Sequence, residues 1–312
     1  MILRVFWFFG FGSLLIQSIV AQSLPKVSPG RVIRHQLSYR MDTSIIQNRF
    51  VDVWIPSDFS RSKRYGVLIM HDGQMLFDPT ITWNKQAWNV DSIAGSLMKS
   101  KKVNRFIIVG VHNAGADRHK EYLPQRVFDG LSPIEKDTVL AQLRSSGRAQ
   151  ISFEPYSDHY VKFLADELLP FLRKTYPVKR GKSSIGLAGS SMGGLNSIYG
   201  LCERPRIFGF ALCLSTHWIG TFQKNNPFPI AMLEYLKQNL PKQKGRKVYM
   251  DHGDQTLDAL YESWQLEVNT IFKEKNWDAF HYRSLIFPGK NHSEEAWSER
   301  FHLPLLFSFG FN

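Results

Sequence analysis

The 312-residue chain predicts an α/β fold: a mostly parallel sheet with an antiparallel hairpin at its N-terminal end and helices on both faces. Three observations carry that expectation. Short, unbroken apolar runs recur at 65–70, 106–111 and 210–214, the pattern of strands buried on both faces. Stretches of helical period separate them. Two alternating segments, 31–40 and 48–55, come first and read as antiparallel strands, the second stopping at Pro56. Strands that alternate with helices after such a hairpin leave few other arrangements.

Taken in order, 65–70 is a strand, 90–98 a helix and 106–111 the next strand. From 113 to 155 the apolar pattern weakens and polar residues dominate, too long a stretch for a plain connection. This insertion is expected to be a cap over a site or a mobile segment. Helical spacing returns over 161–176, with Phe163, Leu164, Leu168, Leu169 and Leu172 on one side. A strand follows at 183–188, then a helix after Gly194, a strand at 210–214 and a helix near 230–240. The chain closes with a strand at 247–250, a helix at 257–273, a strand at 281–287 and a helix beyond Glu294.

The N-terminus has the composition of a secretory leader. Arg4 supplies one positive charge, residues 5–20 are uncharged and apolar, and Ala21 offers a small residue for cleavage before Gln22. The run is short for spanning a bilayer. Residues 1–21 are therefore expected to be a signal peptide and 22–312 one large α/β domain, secreted or periplasmic, with no stable membrane insertion once the leader is removed. The net charge of +12 falls only by Arg4 on cleavage. Its lysines and arginines are scattered rather than clustered, and no nucleic-acid motif is present. Cys202 and Cys213, the only two cysteines, read as buried apolar residues, with a disulfide left open. Neither has histidines at a metal-ligand spacing.

Gly189-Ser190-Ser191-Met192-Gly193 sits between a short apolar strand and a helix. That is the context of a G-x-S-x-G turn, where glycines permit close backbone approach and the central serine projects above the sheet. Ser191 is the candidate nucleophile. A serine hydroxyl needs a base, and the base an orienting acid. Of five downstream histidines, only His292 follows the last strand and precedes a helix; His217, His252, His281 and His302 are misplaced in chain order or on the sheet. Asp258 is the favoured acid and Asp254 the alternative, both following the strand at 247–250. Oxyanion donors are expected at the Met192 amide and at Gln74 or Met75, in the loop after the 65–70 strand. His71 and Asp72 read as strand-end hydrogen-bonding residues.

With these residues the chain resembles the putative-esterase branch of the α/β-hydrolases, which includes esterase D, siderophore esterases, feruloyl esterases and mycobacterial mycolyltransferases. The resemblance rests on 71–78 (HDGQMLFD), on Gly189 to Gly194, and on Gly289-Lys290-Asn291-His292 followed by Trp297. It covers the chain from about residue 30 to its end. It implies hydrolysis of a carboxylic ester with Ser191 as nucleophile and His292 as base, without metal or organic cofactor. Its acid does not align on one aspartate here, and some siderophore esterases of similar pattern use a serine–histidine dyad.

The expected function is an exported serine esterase acting on a small-molecule or carbohydrate ester. Acyl transfer to a sugar or lipid acceptor, or non-catalytic glycan binding, are the alternatives. Trp83, Trp88, Trp218 and Trp297 sit near the motif loops and could stack on a ring, although packing beneath the loops is the ordinary fate of a tryptophan. Arg118, His119, Lys120 and Arg126 could meet an anionic group but read first as solvated loop charges.

Overall fold

A computed structural model describes residues 23–40, 46–149 and 152–311; the expected leader lies outside them. Eight strands form one sheet: β1 (Arg31–Arg40), β2 (Ile46–Ile55), β3 (Gly66–Met70), β4 (Phe106–Val111), β5 (Ile185–Ser190), β6 (Phe210–Leu214), β7 (Lys247–Gly253) and β8 (Tyr282–Phe287). Their spatial order is β1-β2-β4-β3-β5-β6-β7-β8. β1 pairs antiparallel with β2 and β2 antiparallel with β4; every other pair is parallel. The α/β class, the N-terminal hairpin and the mostly parallel sheet are those the apolar runs implied.

Both faces of the sheet are covered, and strand alternation divides the core in two. Val51, Val53, Val67, Ile69, Ile107 and Val109 pack on one side. Trp54, Leu68, Met70, Phe106, Ile108 and Leu212 pack on the other. Chain order reverses at β3, which lies between β4 and β5, so the loops leaving β3 and β5 emerge side by side. Open α/β sheets bind ligands at this kind of reversal, beyond the carboxyl ends of the strands.

Two expectations are made more definite. The stretch over 113–155 is, in its described part, no loose insertion, and its Asn113, Gly115, Arg118 and Arg148 border a cleft. Helices Arg118–Tyr122, Gln125–Asp129 and Pro133–Ser145 organise it, the last opened by a Ser132/Glu135 capping box. His119, Glu121, Tyr122 and Leu123 are buried, and Glu121 pairs with the buried Arg49 of β2. The sequence looks polar because its anchoring groups are charged residues whose partners lie elsewhere in the chain. The helix expected over 161–176 comprises Ser157–Phe163 and Leu169–Thr175 joined by a π turn at Leu164–Leu168. Pro170, which lacks a backbone N–H, adjoins that turn.

Candidate active site

Backbone strain marks the site before any side chain does. Of eight non-glycine residues with positive φ among the described residues, four sit just beyond β3, β5, β6 and β7: Asp72, Ser191, Ser215 and Thr256. Such conformations persist where surrounding structure enforces them, and they gather at functional sites. Ser191 has φ 55° and ψ −124°, between the end of β5 and the helix Met192–Glu203. Its N–H donates to the Leu214 carbonyl at 2.9 Å, and its own carbonyl accepts from Leu195 N–H at 3.0 Å. The turn closes so tightly that a Cβ on Gly189 would lie 2.8 Å from the Gly193 backbone. That is the physical reason for glycine at position 189; a Cβ on Gly193 would crowd the His71 side chain at 3.1 Å.

His292 lies on the loop after β8. Its Nδ1 is bonded to Asp258 Oδ1 at 2.5 Å, and its backbone N–H donates to Thr256 Oγ1 at 3.0 Å. Asp258 is fully buried; its other oxygen accepts from Ser215 Oγ and from Gly253 N–H, both at 2.6 Å. Burial would raise this carboxyl, but the donors from His292, Ser215 and Gly253 outweigh it and hold the group below the ordinary carboxylate range. Asp254 takes a different part: its Oδ1 accepts from the Gly289 N–H at 2.7 Å, tying two loops together. The structure thus brings Asp258, not Asp254, to His292.

Ser215, Trp297 and Arg300 complete the support beneath Asp258. The Ser215 hydroxyl accepts from Trp297 Nε1 at 2.9 Å and from the Arg300 guanidinium at 3.0 Å while donating to Asp258. Arg300 also donates to Asp251 Oδ1 at 3.0 Å. Sequence reasoning missed this network, although the helical spacing of Trp297 and Arg300 places both on one helix face.

The loop after β3 forms the facing wall. His71 is buried, with Nδ1 2.9 Å from the Tyr160 hydroxyl, and burial lowers its pKa to about 4. Asp72 receives two bonds from Arg118, at 2.6 and 2.8 Å, and a third from Asn113 Nδ2 at 2.6 Å. Burial raises the Asp72 carboxyl, and the Arg118 charge more than reverses that effect. Arg118 is therefore a paired residue of the cleft wall rather than a solvated loop charge. The Met75 N–H is bonded to the Asp72 carbonyl at 2.8 Å, which engages one of the two amides expected as oxyanion donors. Gly73 packs so closely on β4 that a Cβ there would lie 2.4 Å from the Gly110 backbone.

Ser191, His292, Gln74, Met75, Asp72 and Arg118 line one cleft of about 710 Å³, bordered by Trp83, Arg148 and Phe222. Trp83 is 83% exposed, whereas Trp88, Trp218 and Trp297 are buried packing residues. Arg148 stands over the Phe222 ring at 5.1 Å. Lys120 and Arg126 pair with Asp117 and Glu203, and His119 Nε2 bonds to the Gly220 carbonyl at 2.9 Å. Cys202 and Cys213 are buried and unbonded. Among the described residues no cluster of side chains suits a metal ion, and no helix is long and apolar enough to cross a membrane.

Comparison with known proteins bears on family and fold. A family model described as "Putative esterase" matches residues 43–306. The curated proteins contain no significant sequence match. Among solved structures, the chain is similar to a ferulic acid esterase from Anaeromyces mucronatus in complex with ferulic acid: TM-score 0.57, 16% identity, covering 92% of this chain and 94% of the other. An IroE-like serine hydrolase from Shewanella oneidensis gives TM-score 0.63 at 16% identity, covering 89% and 79%. The enterobactin esterase of Shigella flexneri gives TM-score 0.59 at 17% identity, with 91% of this chain matched to 60% of that one. At these identities the likeness is one of fold.

Proposed function

The chain belongs to the putative-esterase family and is a carboxylic ester hydrolase, and from that premise we propose that it works through an acyl-enzyme on Ser191. The observation that carries the reading is one cleft holding a strained serine and an imidazole whose Nδ1 is bonded to a buried carboxylate.

Ser191 Oγ attacks the ester carbonyl as its proton passes to His292 Nε2. His292 returns that proton to the departing alcohol when the C–O bond breaks. Water, giving a proton to the same imidazole, then attacks the acyl-enzyme, and Ser191 Oγ leaves and is reprotonated. Asp258 holds the Nδ1–H tautomer and stabilises the imidazolium. The Met192 and Gln74 amides receive the oxyanion, since Met75 N–H already has a partner. These steps call for no metal or organic cofactor.

The substrate is proposed to be an aryl, carbohydrate or siderophore ester. The exposed Trp83 and the Arg148–Phe222 pair around the cleft support a ring-bearing, polar ligand. The names of the ferulic acid and enterobactin esterases that share the fold point the same way. Export is proposed from Arg4 and the apolar run over 5–20; the mature chain should begin near Gln22 or Leu24 on N-terminal sequencing.

Ser191→Ala should lower hydrolysis of a short-chain aryl ester at least about 10⁴-fold with unchanged circular dichroism. Undiminished turnover by that variant ends the acyl-enzyme assignment. A panel of aryl, feruloyl, acetyl-sugar and catecholate esters then identifies the preferred acyl and alcohol groups.

A further inference from the structure

Behind Ser191, away from the cleft, lies a second pair of groups that the mechanism above does not use. Tyr261 and His217 are both completely buried. The Tyr261 hydroxyl is 2.6 Å from His217 Nδ1 and also interacts with the Ser191 side chain. The Tyr261 ring stands edge-on to the His292 ring at 5.9 Å between centroids. The loop bearing His217 is joined to the serine as well, since His217 N–H donates to the Ser191 carbonyl at 3.2 Å. A phenol sealed in the core, bonded on one side to an imidazole and beside the candidate nucleophile on the other, has no packing need for its hydroxyl.

We infer that Tyr261 is a catalytic hydrogen-bond donor to Ser191 Oγ and that His217 is the residue that positions it. The inference rests on the acyl-enzyme reading of Ser191. In the free protein Ser191 still carries its proton, and the two hydroxyls and the imidazole share their hydrogens along one chain. With its proton on Nδ1, His217 donates to the phenol oxygen and leaves the Tyr261 O–H free to point at Ser191. Once the Ser191 proton passes to His292, Oγ can only accept, and the Tyr261 O–H turns toward it by rotation about one bond. The same donor serves deacylation, when Oγ departs from the acyl carbon with the bonding electron pair. Tyr261 transfers no proton in either step: burial raises its pKa well above the ordinary phenol value. Burial likewise pushes His217 well below the ordinary histidine range, so it stays neutral. Tyr261 is not among the cleft residues, which means that it acts on the rate of chemistry and not on substrate capture.

The test is Tyr261→Phe, which keeps the ring and deletes the hydroxyl, assayed beside Ser191→Ala and His217→Leu and His217→Asn. Tyr261→Phe should lower kcat about 10- to 100-fold with KM within threefold, and should slow fluorophosphonate labelling of Ser191 by a similar factor. His217→Leu should show a smaller loss of the same kind. His217→Asn, whose amide can take the place of Nδ1, should recover most of that loss, which a mere packing role would not produce. A kcat for Tyr261→Phe within threefold of the parent, a loss confined to KM, or equal losses in the Leu and Asn variants overturns the inference. If Ser191→Ala itself remains active, the acyl-enzyme reading fails first and the two failures are told apart.

Discussion

Two carboxylates anchor loops of the cleft, Asp72 after β3 and Asp258 beneath His292, and their partners differ in kind. Asp258 is bonded to a histidine, a hydroxyl and a backbone amide. Asp72 is bonded to an arginine that holds it with two parallel bonds, and to an asparagine. Both carboxyls are held below the ordinary range. The arginine is a permanent charge, so the Asp72 pair is closed upon itself and can only brace the loop that carries Gln74. The imidazole can gain and lose a proton, so the field of Asp258 is felt only when the reaction needs it. On the proposed mechanism, the same residue type braces one wall and serves the reaction on the other.

The largest expected effect breaks that contrast if it fails. Asp258→Asn should lower kcat for a short-chain ester by about 10³- to 10⁴-fold, because an amide neither holds the right tautomer nor stabilises the imidazolium. Asp72→Asn should lower it far less, on the order of tenfold. Comparable losses in steady-state kinetics of the two variants would erase the distinction. Next comes stability. Arg118→Met leaves Asp72 in place without its counter-charge, and urea unfolding should show a loss of about 2 kcal/mol, discounted because the arginine is 30% exposed. An unchanged unfolding midpoint would mean that the pair braces nothing.

A further effect concerns acid. His71 and His119 are buried with pKa values lowered to about 4, burial being the main cause. The unfolded chain binds protons at such histidines below about pH 6.5 while the folded chain does not. Stability should therefore be full above pH 6.5 and fall as pH drops toward 4, by on the order of 1 kcal/mol per pH unit for each group. The two depressed carboxyls extend the decline further into acid, since their contribution is lost as pH falls through their folded values. His119→Gln can still offer an N–H to the Gly220 carbonyl but cannot gain a proton. Urea midpoints for this variant should flatten between pH 6.5 and 4, and an undiminished slope would refute the histidine's part.

Where a local rule fixes the structure, the sequence was legible. Continuous apolar runs located β3, β4 and β6, and the glycines of the motif located the strained serine, since a Cβ on Gly189 would strike the Gly193 backbone. His292 could be found by its place after the last strand. Asp258 was favoured over Asp254 by only a narrow margin, because only three-dimensional burial separates a loop tie from a histidine partner. The polar stretch after Asn113 was opaque for a related reason: Glu121 is buried only because Arg49, on a distant strand, meets it. Among four tryptophans near the motifs, Trp83 alone faces solvent, a difference set by packing partners and not by spacing. Ser215, Tyr261 and Arg300 carry no local signal, since each matters through what it touches.

The two unbonded, buried sulfurs have a practical consequence. Burial shields the Cys202 and Cys213 thiols from reagents and raises both pKa values, leaving little thiolate to react. No covalent crosslink has to form before the chain reaches its active shape. Preparations made with or without dithiothreitol should therefore turn over substrate equally well, and so should a version beginning at Gln22 made in a reducing bacterial cytosol.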